Sequence, residues 1–470
     1  MLKTRNEWGI LPYETGRIKD RYLVTSSLGS WALLEKGEFK KLHRYQIKDT
    51  EPLFGKLKDA GIIVDRTNSN NVIEDFRRLN NNWFLDVGLH IAVVTNRCNL
   101  GCLYCQTRSE QKGDMDVRVA AKILEYLFAT RTPTVNLEFQ GGEPLLNWEA
   151  VEYLVHWARK SNTTGKNLKI GLVSNLSLLD EKKIDFLIEN DVDLCTSLDG
   201  PSNIHNQHRR FKDGKGSYDV VVGMLEKLKN RYKKGGINKS IGVLPTITKQ
   251  SLPYFKEIID EYVKHGIESI ALRPVNRVGL AEGVWEEIGY EANEFNRFWK
   301  NSLDYILRLN KKGINIQERV ATVILKKIFL KQDPMYVDLA SPCGAGRTVL
   351  TYAPNGDVYT CDEARMIGSD LFKLGNVLEG TYSDIMKNPN IFYACQASLM
   401  QLWDYNSPFA IWSGTCPVLN FYEQGSTVVK IGQTPRQKIY KFQFNYIFEK
   451  MIEDQDALEI FKNWTKRGVR

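Results

Sequence analysis

From about residue 88 to 275, short apolar runs alternate with longer amphipathic stretches, the pattern of strands and helices taken in turn. The runs at 89–95 (LHIAVVT), 134–140, 168–173, 192–198, 240–246 and 268–274 predict strands. Between them, segments near 116–129, 147–160, 180–189, 217–232 and 251–265 carry apolar residues at helical spacing. Strands separated by single helices predict a parallel α/β sheet or partial barrel, whose chemistry belongs at the carboxyl ends of the strands. A helix over 292–312 closes this unit, assigned to 84–315. Residues 1–80 predict a small α+β module. In it, Tyr22-Leu23-Val24 and Trp31-Ala32-Leu33-Leu34 flank a Ser-Leu-Gly turn as a hairpin, beside short helices at 38–44 and 50–60. Its size suits a winged helix, or equally a cap packed on the next domain. Residues 335–425 are rich in Gly, Pro and aromatics with short strands, and the tail 426–470 is helical and basic from 436 to 466.

Composition narrows the class without naming a chemistry. The 470 residues are 43% hydrophobic and 26% charged, which excludes disordered and low-complexity classes. A chain of this size buries a core without staples, so eight cysteines are not a disulfide scaffold and need another explanation. No apolar h-region or membrane-length apolar run is present, which leads us to expect a cytoplasmic protein with no membrane partner. The net charge of +8 is spread along the chain; it suits an acidic partner and does not indicate nucleic acid.

Directly after the first strand stands Cys98-Asn-Leu-Gly-Cys102-Leu-Tyr104-Cys105. Three thiolates this close can hold three corners of a [4Fe–4S] cubane, leaving one iron open. Structural zinc would need a fourth Cys or His, and the nearest histidine, His90, lies back on the strand.

This C-x3-C-x2-C triplet with an aromatic before its last cysteine resembles the signature of the radical S-adenosylmethionine (SAM) enzymes. The resemblance implies a partial (β/α)6 barrel. It also implies a [4Fe–4S] cluster whose open iron is chelated by S-adenosylmethionine, and reductive cleavage to a 5′-deoxyadenosyl radical that abstracts substrate hydrogen. Gly141-Gly142-Glu143-Pro144 resembles the family's GGEP motif, with the glycines admitting the methionine moiety and Glu143 receiving its ammonium. Ser174 and Asn175 match a ribose-contacting pair, although relatives usually carry Thr-Asn. Ser197-Leu-Asp199-Gly200-Pro201, with His205 and Arg209, resembles the peptide- and protein-modifying branch, where Arg209 would fork the S-adenosylmethionine carboxylate. Tyr104, Ser197 and Asp199 complete the expected cofactor-binding set, and Cys195 reads as a buried core thiol.

Cys343, Cys361 and Cys416 match positions of the SPASM domain, which carries auxiliary iron–sulfur clusters. Trp403, Asn406 and Trp412 stand where three further ligands occur in relatives, so the likeness implies one auxiliary cluster, of the [4Fe–4S] type, in a reduced, twitch-like form. Cys395 is its fourth ligand or an ordinary thiol. Asp362, after Cys361, matches a proton-accepting aspartate of sulfatase-maturing relatives. Stretches such as YLVTSSLGSWALL, RCNLGCLYCQ, EFQGGEPLLN, TSLDGPSNIH and NGDVYTCDEARM resemble the radical maturase of the His-Xaa-Ser peptide system, B type, although such maturases carry Ser at the position of Cys361. The likeness implies a leader-bearing precursor peptide as substrate and an external one-electron reductant such as flavodoxin or ferredoxin. It also suggests an N-terminal module that takes the leader as an added strand. The competing readings are a twitch-type dehydrogenase of a small molecule and a non-catalytic iron–sulfur redox or regulatory protein.

Overall fold

The computed structural model describes residues 8–466, apart from 82, 84, 108–112, 337–338, 404–406, 431 and 433; the side chains of 401–403 are also left undescribed. The N-terminal part comprises β1 (Trp8–Ile10), β2 (Tyr13–Ile18), β3 (Arg21–Ser26), β4 (Trp31–Leu34), α1 (Lys36–His43), α2 (Pro52–Asp59), β5 (Ile63–Asp65) and α3 (Ser69–Leu79). The predicted hairpin is β3–β4, in a three-stranded antiparallel sheet with β2, and β1 pairs with β5. Leu34, Leu42, Leu53, Leu57 and Ile62 close a core of their own beneath it.

The central sheet is built from β6 (Leu89–Thr95), α4 (Val117–Ala129), β7 (Thr134–Gly141), α5 (Trp148–Ser161), β8 (Asn167–Val173), α6 (Glu181–Glu189) and β9 (Val192–Ser197). It continues through α7 (Ser202–His208), α8 (Tyr218–Lys234) and β10 (Gly242–Leu244). Neighbouring strands in the order β10-β9-β8-β7-β6 run parallel. Alternation within each strand explains the layering: Val135, Leu137 and Phe139 of β7 are buried against the helices, while Glu138 and Gln140 face the other way. This is the parallel α/β sheet of a partial barrel that the alternation of strands and helices predicted.

Two details differ from expectation. The run at 268–274 does not form one strand; it splits into β12 (Ser269–Ile270) and β13 (Arg273–Pro274), after β11 (Thr246–Ile247) and α9 (Phe255–Lys264). β13 pairs with β11, and β12 pairs with β14 (Gln317–Glu318). The sixth strand parallel in the main sheet comes instead from β15 (Val349–Tyr352), hydrogen-bonded along β6. β16 (Asp357–Tyr359) and β17 (Lys373–Asn376) extend it antiparallel. Second, α7 adds a helix between β9 and β10 where one was expected, Ser202 to His208 turning into a short helix directly after Pro201.

The remaining helices are α10 (Leu280–Gly283), α11 (Trp285–Ile288), α12 (Ala292–Lys311), α13 (Arg319–Leu330), α14 (Asp362–Ile367), α15 (Tyr382–Met386) and α16 (Pro389–Trp403). They end with α17 (Pro417–Gln424), α18 (Pro435–Glu453) and α19 (Gln455–Lys466). The tail is not a solvated appendage: Phe444, Phe448 and Phe461 are fully buried, and α18 and α19 pack on α12 and α13. No helix among the described residues is long and apolar enough to cross a membrane.

Glu318 caps α13 from a fully buried position, accepting the amides of Ala321 (2.6 Å) and Leu272 (3.3 Å). Burial pushes its carboxyl up to about 7 against these hydrogen bonds. Because the folded value exceeds the unfolded one, the carboxyl opposes folding progressively from about pH 4.5 to 7 and by a constant amount above. Glu318→Gln removes that titration. In urea unfolding, the stability of the variant relative to the wild type should rise by on the order of 2–3 kcal/mol between pH 5 and pH 8; a pH-independent difference would count against it.

Candidate active site

The loop after β6 carries the cysteine triplet and is tied down on both sides. Arg97 donates to Asp114 (2.9 Å) and to the Leu146 carbonyl (3.0 Å), and Thr95 Oγ1 donates to Asp114 (2.5 Å). Across the loop, Gly101 N reaches the Arg210 carbonyl at 2.8 Å and Leu103 N the His208 carbonyl at 3.2 Å. Cys98, Cys102 and Cys105 line one cavity of about 790 Å³, with Asn99, Gly142 and Lys212 among its walls. The described walls hold no fourth cysteine and no histidine. His90 does not line this cavity; it is buried in the sheet with its Nδ1 bonded to the Tyr352 hydroxyl at 2.7 Å.

Burial pushes the Cys98 thiol up to about 11 and Cys102 to about 12, with neighbouring cysteines adding to the rise. Thiols so placed become thiolates only when a cation joins them. Among the described residues no three Cys, His, Asp or Glu side chains converge on one ion. A cubane takes one thiolate per iron, so three separated thiols around a cavity fit that donor geometry better than a single metal ion.

Gly141 and Gly142 serve the loop itself. A Cβ on Gly142 would lie 2.1 Å from the Arg97 carbonyl oxygen, and one on Gly141 2.3 Å from that of Thr95. The close approach these glycines permit is to the cysteine loop's own backbone. Gly142→Ala should therefore displace Arg97 and Cys98, and iron incorporated on anaerobic reconstitution should fall several-fold; unchanged iron content would refute this packing role.

Glu143, Ser174 and Asn175 form one unit across the ends of β7 and β8. Glu143 is buried and accepts Ser174 Oγ (2.7 Å), Asn175 N (2.8 Å) and Leu145 N (3.1 Å). Burial raises its carboxyl against these hydrogen bonds. Asn175 Nδ2 donates to Asn99 Oδ1 at 2.8 Å, joining this unit to the cysteine loop.

Tyr104, Asp199 and Arg209 form a second buried unit. Tyr104 Oη and Arg209 Nε (3.0 Å) both donate to Asp199 Oδ2, Thr246 N donates to Oδ1 (2.9 Å), and the guanidinium lies 5.1 Å over the Tyr104 ring. Burial works to raise the Asp199 carboxyl, but Arg209, His205 and the hydrogen bonds from Tyr104 and the Thr246 amide together hold Asp199 below the ordinary range. Arg209 Nε is thus spent inside the protein, which leaves only the outer face of the fork for a ligand. Ser197 ends β9, half-buried, on the same face as Cys195.

The C-terminal cysteines gather as a second group. Cys343, Cys361 and Cys416 share one buried cluster with Ile91 and Val93 of β6. Burial raises all three thiols, Cys343 to about 11; Cys361 feels the charge of Cys416 and Cys343, Cys416 that of Cys343, and Cys343 that of Cys395. Cys361 precedes α14 and Cys416 caps α17, so both ride on helix starts. Cys395 sits on α16 beside them. Ser398 bridges the two segments, accepting Cys343 N (3.0 Å) and donating to the Cys395 carbonyl (2.6 Å), while the Cys395 thiol meets Arg347. Trp412, where relatives carry a ligand, is fully buried against Phe444 and Phe448. Asn406 and the Trp403 side chain lie outside the described residues.

Asp362 is buried and ion-paired with Arg365 at 2.9 Å. It faces Glu138 across the inner surface of the sheet. Burial raises the Cys195 thiol, as expected of a core residue, and Glu138, Arg319 and Arg273 stand around it on the inner face. Sequence reasoning passed over Glu138 and Arg319; an acidic residue at an inward register of an otherwise apolar strand was the signal available for Glu138.

Residues 92–261 match the radical SAM superfamily. An uncharacterized protein of Methanocaldococcus jannaschii is 32% identical over 181 residues, which are 38% of this chain and 60% of that relative. The cysteine-type anaerobic sulfatase-maturating enzyme of Clostridium perfringens is 25% identical over 319 residues, 64% of this chain and 80% of the relative. Among solved structures, native anSMEcpe with bound AdoMet superposes with a TM-score of 0.67 at 21% identity, over 80% of this chain and 99% of that one. SuiB of Streptococcus suis bound to its precursor peptide SuiA superposes at 0.55 and 15% identity, over 89% and 97%. With a three-thiol loop at the end of the first parallel strand and a glycine pair packed against it, this match makes residues 92–261 a radical SAM domain.

Proposed function

We propose that this chain is a radical SAM maturase acting on a residue of a ribosomally made precursor peptide. The observation that carries the reading is the convergence of Cys98, Cys102 and Cys105 on one cavity at the carboxyl edge of the sheet. A cluster held there with S-adenosylmethionine supplies abstraction of a hydrogen atom from an unactivated carbon. The protein's share is placement. Glu143, Ser174 and Asn175 stand at the strand ends beside the loop, Tyr104, Asp199 and Arg209 fix the loop's far side, and the sheet walls off solvent.

Cys343, Cys361 and Cys416 are read as ligands of one auxiliary cluster, with Cys395 next to it and Asp362 the adjacent carboxylate. The peptide substrate is supported by the relatives: one is a sulfatase-maturating enzyme, and a structure of the same fold was solved with a precursor peptide. The finer likeness is to the His-Xaa-Ser maturases. The N-terminal module, whose β2–β4 sheet has edge strands, is the candidate holder of the leader, and flavodoxin or ferredoxin of the cytoplasm the candidate electron donor.

The test is anaerobic reconstitution with iron, sulfide and a strong reductant. Release of 5′-deoxyadenosine and a mass change in a co-expressed neighbouring short peptide are expected. Reduced, cluster-loaded protein that releases none would overturn the enzyme reading. Removing residues 1–75 should weaken peptide binding several-fold and leave uncoupled S-adenosylmethionine cleavage intact; undiminished binding would make the module a cap.

A further inference from the structure

The inner face of the sheet carries a group of charges that none of the motifs accounts for. Glu138 and Gln140 project from β7, Cys195 and Ser197 from β9, Arg273 begins β13, Arg319 opens α13, and Asp362 opens α14. Glu138 lies within electrostatic reach of Asp362, Arg319 and Arg273, and Cys195 within reach of Glu138, Arg319 and Arg273. Four separate elements therefore deliver charged side chains to one place, the interior over which the cysteine loop stands at the strand ends.

Asp362 is answered by Arg365, and Glu138 faces both Arg273 and Arg319. Gln140 Nε2 already donates to Glu138 at 2.5 Å. Arg319 Nε is buried with no hydrogen-bond partner. A buried donor on a cation calls for an acceptor, and the strongest is a carboxylate. Gly171, on the strand between β7 and β9, lets the Glu138 side chain lie over the neighbouring backbone: a Cβ there would stand in contact, 3.7 Å from Glu138 Cγ.

Resting on the reading of the chain as a peptide-modifying enzyme, we infer that this interior seats an acidic residue of the substrate peptide, its carboxylate received by Arg319 with Arg273 behind it. Glu138 and Gln140 then set the specificity. Glu138 repels a carboxylate set too deep, and Gln140 keeps Glu138 turned along its own strand. Burial keeps the Glu138 carboxyl above its ordinary range, which softens that repulsion. Cys195 takes no chemical part; it lies beside the seat and reports on its occupancy.

The test uses the reconstituted full chain loaded with S-adenosylmethionine. Acetyl-Gly-Glu-Gly-amide and acetyl-Gly-Gln-Gly-amide are titrated by calorimetry, and alkylation of Cys195 by N-ethylmaleimide is followed by peptide mapping. The glutamate peptide should bind at least about tenfold more tightly than the glutamine peptide, and it alone should slow alkylation of Cys195. Arg319→Gln should erase the difference and Arg319→Lys should keep part of it, with visible cluster absorbance confirming that both variants are folded. Equal affinities in the wild type, or no binding of either peptide at about 10 mM, would overturn the inference. Neither result would touch the proposed function, which fails only if reduction releases no 5′-deoxyadenosine.

Discussion

Changing Cys343 and Cys361 together to alanine should lower the iron of the reconstituted chain from about eight atoms to about four, while 5′-deoxyadenosine formation in the absence of peptide persists. The expectation follows from two separated thiol groups. One lines the cavity at the end of β6, and the other is packed against Ile91 and Val93 within the same strand. Iron and sulfide assays on the two proteins, prepared side by side, read the result. A parent value near four would remove the auxiliary cluster. Cys395→Ala separates the roles of the fourth cysteine: a ligand would cost cluster stability, whereas a thiol engaged only with Arg347 would not.

Arg209→Ala should cost about 3–5 kcal/mol of stability, because it strands a carboxylate that is wholly buried. Asp199 accepts from Arg209, Tyr104 and the Thr246 amide, so losing the cation leaves its charge without its main compensation. Asp199 lies below the ordinary carboxylate range in the folded chain, so the stability it lends is present above the unfolded value. That stability is lost as pH falls through the folded one. The deficit of Arg209→Ala should accordingly be large at pH 7 and shrink in strong acid. Denaturant unfolding at both pH values measures it, and a paired Arg209→Met/Asp199→Leu change should recover much of the loss. A deficit below about 1 kcal/mol at pH 7 would mean the pair is solvated and dispensable.

The parallel core was legible because burial on both faces writes continuous apolar runs, as in LHIAVVT, and because each run is followed by a helix of matching length. The cysteine loop was legible from spacing alone. The sixth strand stands where it was read but is broken into Ser269–Ile270 and Arg273–Pro274, the latter parallel to Thr246–Ile247, since proline offers no amide to a longer ladder; what no local pattern reveals is that Val349–Tyr352 adds to the sheet along β6 from a distance in sequence. Arg209 and Gly142 were recognised as functional residues, but the contacts they make are with Asp199 and the Arg97 carbonyl, which only folding brings near. The charges beside the buried Cys195 were hidden for the same reason, because they come from Glu138, Arg273 and Arg319 on other elements.

The pairing of β15 with β6 has a consequence for how this chain can be cut. Val349 to Tyr352 bond to Leu89 to Ala92, so a version ending before residue 340 would leave the edge of the strand that leads to Cys98 unpaired and apolar. Such an edge recruits other chains, and the shortened protein should be an aggregating one rather than a minimal catalyst.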